Sequence, residues 1–329
     1  MVTFELLDAD KYYKSLLDEI PKAKKRIVLA SMVLLWGERT APVFIMLQDA
    51  LKRGVKVTIL LDRYTRLTYL YGLTGKSAAE RLRQTYQTLS DLSGAGAKVY
   101  SFGKIGFPPQ KGRCHVKISI VDNMSYSFGG INLFDECLQY SDYMLMSRNV
   151  AVADCLEQLV ERISHKQPPL LDGEVGLDKN THILFDGGHP KHSLIYERAC
   201  ELTAHARHVH IISQMVPSGQ LARLLHETNA TIYTNRPEQM RPLDGIAQAF
   251  DQQKYRMENS YSGMSYIHAK TILFEMPSSK KIVLSGSHNF SLRGVDFGTQ
   301  EIALESHDPK VWDQVYAFAK KQVMNPGKV

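Results

Sequence analysis

Two histidines, two lysines and two asparagines recur in this chain at matching positions. His115-Val116-Lys117 is followed by Asp122, and His268-Ala269-Lys270 by Glu275, so each copy reads His-x-Lys, four residues, then a carboxylate. Each copy then reaches a small-residue pair and an asparagine: Gly129-Gly130-Ile131-Asn132 in the first, Gly286-Ser287-His288-Asn289 in the second. A lone His-x-Lys carries no information, because both residues are common at surfaces. A register-matched pair points to one site built from two halves. Two imidazoles can divide nucleophilic attack and proton transfer between them. Ammonium and amide groups can hold the non-bridging oxygens of a phosphodiester and offset the charge of a pentacoordinate state. The expected catalytic set is therefore His115, Lys117, His268, Lys270, Asn132 and Asn289, with no metal and no cofactor, since the lysines supply positive charge. Which histidine attacks is left open by the residues.

Four more carboxylates keep the register. Asp142 lies ten residues past Asn132, and Glu301 twelve past Asn289, each opening an apolar strand. They are suited to accept a ring N–H from a histidine and fix its tautomer. Asp122 and Glu275 have the opposite strand parity to the histidines and are read as supports that tie down a hairpin. The second copy is four residues longer between its carboxylate and its glycine, which fits an enlarged turn at Met276–Lys281. The other histidines have no duplicated setting and are read as surface or packing residues, with His288 set apart by its place in the second turn.

The elements that must position these groups also repeat. In the first half the pattern predicts a helix over 11–24, strand 26–35, helix 41–53, strand 56–61 and strand 98–102, then a His-Lys strand over 114–122. In the second half it predicts helix 193–205, strand 208–215, helix 219–227 and strand 231–234, then a His-Lys strand over 266–275. Residues i and i+2 of a strand face one way, so each histidine and its lysine are expected to point together out of the sheet. The alternation predicts an α/β fold with a mixed sheet flanked by helices in each half. The Pro-rich break Gln167-Pro168-Pro169 divides the chain into lobes 1–166 and 167–329, with one shared site between them.

Bulk properties agree with an ordinary globular protein: 329 residues, 44% hydrophobic, 22% charged, net charge +6. The mild basic excess suits an anionic substrate or a membrane surface. Four cysteines without paired spacing argue for free thiols rather than a disulfide or zinc framework. The longest apolar run, 27–36, is about half the length of a membrane-spanning helix, and the first residues lack a signal-peptide pattern. A cytoplasmic protein that meets lipid from the side is expected. Arginines mixed with aromatics at 63–71, and lysines with phenylalanines at 102–111, suit a headgroup region or stacked single-stranded bases.

The paired motifs resemble those of the phospholipase D superfamily, and the closest likeness is to bacterial cardiolipin synthases. Gly129-Gly130-Ile131-Asn132-Leu133-Phe134-Asp135-Glu136 is similar to the synthases' Gly-Gly-x-Asn-x-x-Asp-Glu stretch, and Gly286-Ser287-His288-Asn289 with Phe297-Gly-Thr-Gln-Glu301 to their C-terminal motif. The chain departs from the pattern in having Glu275 for the usual aspartate. It also lacks the paired N-terminal membrane helices of many synthases. The resemblance implies two pseudo-symmetric lobes and a two-step transfer through a phosphohistidine, with His115 as nucleophile and His268 as general acid and base. It implies a phosphatidyl transferase acting on anionic phospholipid at a membrane surface, as a two-lobed monomer. The alternatives on the same residues are a phospholipase D-type hydrolase and a metal-independent nuclease, for which nucleic acid is the partner.

Overall fold

A computed structural model describes residues 2–67, 78–103, 111–165 and 170–326. Its centre is read most simply from strand β2 (Arg26–Ser31). Ile27 and Leu29 pack on one side of the strand and Val28 and Ala30 on the other, so apolar residues at every position give a strand covered on both faces. It lies within a mixed seven-stranded sheet. The order is β1 (Glu5–Asp8), β7 (Tyr143–Ser147), β6 (Met124–Ser127), β5 (Ile118–Val121), β2, β3 (Lys56–Asp62) and β4 (Lys98–Phe102). β3 runs parallel to β2 and β4, and the other neighbours are antiparallel.

A second seven-stranded sheet repeats the plan. Its order is β8 (Gly173–Asp178), β9 (Thr181–Gly187), β14 (Gln300–Ser306), β13 (Lys281–Gly286), β12 (Thr271–Glu275), β10 (His208–Ser213) and β11 (Ala230–Thr234). Only β10 and β11 pair in parallel. Helices α1 (Ala9–Glu19), α2 (Ala41–Lys52) and α3 (Ala78–Gly94) cover the outer face of the first sheet. Helices α5 (Leu194–His205) and α6 (Gln220–Glu227) cover that of the second. The inner faces share one core with α4 (Val150–His165) and α8 (Pro309–Ala319), in which Ile118 and Ile120 join Leu273, Val283 and Leu304. Apolar area from both lobes is thus buried together, which fixes the lobes against each other. No helix among the described residues is long and apolar enough to cross a membrane.

The two His-Lys segments depart from the expected strands. Regular pairing begins only at Ile118 and Thr271, so His115–Lys117 and His268–Lys270 precede β5 and β12 instead of lying in them. The reason is that each segment leaves its own sheet to pair with the opposite lobe, Cys114 with Gln300 and Ile267 with Ser141. The strand expected over 26–35 likewise stops at Ser31, and the one expected to 215 stops at Ser213. The longer second hairpin is closed by Met276 donating to the Lys280 carbonyl and Ser279 to that of Met276. The Pro-rich break at 167–169 lies outside the described residues, as do 68–71 and 104–110 of the two basic-aromatic stretches.

Candidate active site

The register of the inter-lobe bridges sets the site. Pairing Cys114 with Gln300 brings His115 beside Glu301, and pairing Ile267 with Ser141 brings His268 beside Asp142. The His115 N–H donates to the Gln300 carbonyl at 2.8 Å, and that of His268 to Ser141 at 3.1 Å. The side chains then meet across the lobes. His115 Nδ1 lies 3.0 Å from both Glu301 carboxylate oxygens, and His268 Nδ1 lies 2.7 Å from Asp142 Oδ2. Each lobe thus supplies one imidazole and the carboxylate for the other lobe's imidazole. A carboxylate on Nδ1 selects the tautomer with hydrogen there and leaves the Nε2 lone pair for the cavity that both rings line.

The two carboxylates are held differently. Asp142 Oδ1 accepts from the Gly130 N–H (3.1 Å) and the Tyr143 N–H (2.8 Å). Glu301 Oε2 accepts instead from the Ser287 hydroxyl, at the position equivalent to Gly130. A β-carbon on Gly130 would come within 2.5 Å of Asp142 Oδ2 and 2.6 Å of the His268 carbonyl oxygen. Gly130→Ala is therefore expected to lower turnover about ten- to hundredfold and cost about 1–3 kcal/mol, as overpacking does. Steady-state rates and urea titrations would check this, and wild-type values for both would refute the close approach.

The lysines occupy a different place from the one their spacing suggested. Both are buried and neither lines the cavity: Lys117 Nζ donates to the carbonyl of His115 at 2.6 Å, and Lys270 Nζ to that of His268. Each thereby ties the backbone of its own histidine. Asn132 and Asn289 do line the cavity. Asn132 Oδ1 accepts from the Ser31 hydroxyl and the Val33 N–H, which leaves its amide nitrogen as the donor. Asn289 Oδ1 is buried without a partner among the described residues.

Asp122 and Glu275 stand at the far ends of β5 and β12. Asp122 has φ 52° and accepts from the N–H groups of Lys24, Lys25 and Arg26. Glu275 pairs with Arg207 at 3.0 Å. His288 is buried, with Nδ1 accepting from the Phe290 N–H.

Sequence reasoning missed a second matched pair. Asp62 Oδ2 accepts from the Cys114 N–H at 2.7 Å, and Asn235 Oδ1 from the Ile267 N–H at 2.7 Å, each at the residue before a histidine. Asp62 ends β3 and Asn235 follows β11, the equivalent strand, so a polar residue at the same strand end was the available signal. Asp62 is also ion-paired with the buried, cavity-lining Arg113 at 2.9 Å.

Burial keeps both imidazoles neutral. Burial lowers His115 to about 4, against the upward pull of Glu301. Burial, reinforced by Lys270, lowers His268 to about 3. Burial likewise lowers Lys117 to about 7, while His115 beside it and Lys117 itself help hold Glu301 down at about 2 against its own desolvation. Between about pH 6.5 and 4 the unfolded chain binds protons that the folded histidines refuse, so stability falls with pH by up to about 1.4 kcal/mol per unit for each imidazole. Urea midpoints at pH 7, 6 and 5 should fall more steeply for wild type than for a His115→Gln, His268→Gln double variant. Equal slopes would contradict burial in neutral form.

The cavity holds about 700 Å³. Met32, Val33, Phe134 and Tyr140 form an apolar wall on the first lobe, and Gln214, Gln239, Arg241 and Arg293 a polar one on the second. Residues 16–164 match the family model described as cardiolipin synthase, phospholipase D-like domain. This stretch, somewhat under half of the chain, is therefore similar to a phospholipase D-like domain. Cardiolipin synthase B of Salmonella typhi and that of Salmonella typhimurium are each 25% identical to it over 170 residues, covering 50% of this chain and 38% of theirs. In three dimensions the chain is similar to the phosphatidylserine synthase of Haemophilus influenzae Rd KW20, with TM-score 0.68, 15% identity, and coverage of 97% of this chain and 87% of that one. It is also similar to the polyphosphate kinase of Porphyromonas gingivalis, with TM-score 0.61, 12% identity, and coverage of 96% and 49%. These two likenesses show a shared fold over nearly the whole chain.

Proposed function

We propose that this protein is a phospholipase D-superfamily phosphatidyl transferase of cardiolipin-synthase type, working through a phosphohistidine. The observation that carries the reading is the pair of imidazoles lining one cavity, each with Nδ1 fixed by a carboxylate of the opposite lobe. In the first step His115 Nε2 attacks phosphorus and the P–O bond to the leaving alcohol breaks. That alcohol takes a proton from His268. In the second step the acceptor alcohol gives its proton to His268 and attacks phosphorus, and the P–N bond breaks. A phosphodiester monoanion supplies the charge that favours a proton on His268, which burial and Lys270 otherwise hold far below the range that would carry one.

Lipid is favoured over nucleic acid by the apolar wall and by the pairing of the cavity's arginines with acids: Arg113 with Asp62, Arg241 with Asp244, Arg293 with Asp251. A channel that tracks a polynucleotide backbone is strongly cationic. Both histidines come from one chain, so a monomer suffices, acting at a membrane surface. The test is mass spectrometry of products from detergent-dispersed phosphatidylglycerol, with His115→Ala as control. New cardiolipin plus glycerol, absent in the variant, is the expected result. Phosphatidate alone would make the protein a hydrolase, and cleavage of DNA without any lipid product would make it a nuclease.

A further inference from the structure

Helix α7 (Pro242–Tyr255) is inverted relative to an ordinary surface helix. Its buried residues are Gly245 and Gln248, and it is anchored by polar contacts: Gln248 accepts from the Val216 N–H (3.0 Å) and donates to the Asn235 carbonyl (2.8 Å). Its large apolar residues point outward. Leu243 is 76% exposed, Ile246 68% and Phe250 62%, at the i, i+3, i+7 spacing of a single face. Met264, 90% exposed, is held at the same end of the helix, since the Gln239 side chain donates to the carbonyls of Gly263 and Met264.

The stripe stands at the mouth of the active-site cavity, because Gln239, Arg241 and Asp244 of the same segment line it. We propose that α7 and Met264 dock the protein on an anionic lipid bilayer, with the cavity mouth turned toward the surface. Three features choose this occupant. Exposed Lys254 and Arg256 follow the stripe and outnumber Glu258 there, while Asp244, Asp251 and Glu238 are each tied to an arginine. Four such side chains make an apolar patch on the order of a few hundred Å², short of the about 800 Å² per partner that a stable interface between copies needs. A second copy seated here would also cover the cavity mouth. An interfacial helix combines an apolar face with cations beside it, as this one does.

The inference rests on the lipid reading of the site, and its test separates the two. Co-sedimentation is measured with phosphatidylglycerol vesicles and with phosphatidylcholine vesicles. Wild type is compared with a Leu243→Ser, Ile246→Ser, Phe250→Ser variant and with Ile246→Trp. Wild type is expected to sediment with phosphatidylglycerol, the triple variant to bind about tenfold or more weakly, and Ile246→Trp to bind more tightly. Turnover of monomeric short-chain phosphatidylglycerol by the triple variant should equal that of wild type. Docking at α7 is overturned if wild type does not sediment, or if the triple variant sediments like it. It is also overturned if wild type is a dimer that the triple variant dissolves. Sedimentation needs no turnover, so a wild type inactive on monomeric lipid would sink the transferase reading while α7 is still decided by binding.

Discussion

His115→Ala and His268→Ala are each expected to lower kcat/KM about 10⁴-fold or more, with the fold intact. Both rings line the cavity and neither belongs to an apolar core cluster, so truncation removes chemistry before it removes packing. The double variant should lose hardly more than either single one, because groups that act as a unit are not additive. The variants should part company in a quench experiment. His268→Ala retains the attacking ring and is expected to accumulate label on the protein from an ester with an activated leaving group, which needs no acid. His115→Ala should accumulate none. Substantial turnover in both single variants would refute a shared two-histidine site, and label on His115→Ala would reverse the order of the roles.

The legible part of this site was the part that repeats. His115, His268, Asn132 and Asn289 line one cavity, and the carboxylates Asp142 and Glu301, matched only by place in the repeat, contact the histidines. The succession of elements in each half was legible for the same reason, because the helices and strands leading to β5 recur in the same order before β12. What could not be read was how one lobe crosses to the other. The exchange of carboxylates depends on the single bridges at Cys114–Gln300 and Ile267–Ser141, which join residues far apart in sequence and leave no local pattern. The same bridges pull His115–Lys117 and His268–Lys270 out of the strands their apolar neighbours predict, so a period-two argument does not foresee that each lysine donates to the carbonyl of its own histidine. Asp62 and Asn235 escaped notice because one is an acid and the other an amide, although both accept the same backbone N–H.

Replacing the carboxylates should slow the reaction about 10²- to 10⁴-fold, and asymmetrically. Asp142→Asn and Glu301→Gln keep the shape but present an amide, whose N–H₂ group can turn the imidazole so that Nε2 carries the hydrogen. For His115 that removes the attacking lone pair. For His268 it removes the charge that favours the protonated ring, since Asp142 raises His268 both by hydrogen bond and by charge. The alkaline limb of the kcat profile should therefore move to lower pH in Asp142→Asn, a change that a purely structural role would not produce. Leaving-group dependence divides the pair further. An activated phosphodiester needs no proton on its leaving oxygen, so Asp142→Asn should recover most of its rate on that substrate. Glu301→Gln acts on the nucleophile and should recover little. Equal recovery in both would mean that the two halves do not hold distinct roles. An unshifted pH limb with full kcat in Asp142→Asn would mean that the carboxylate only packs against His268.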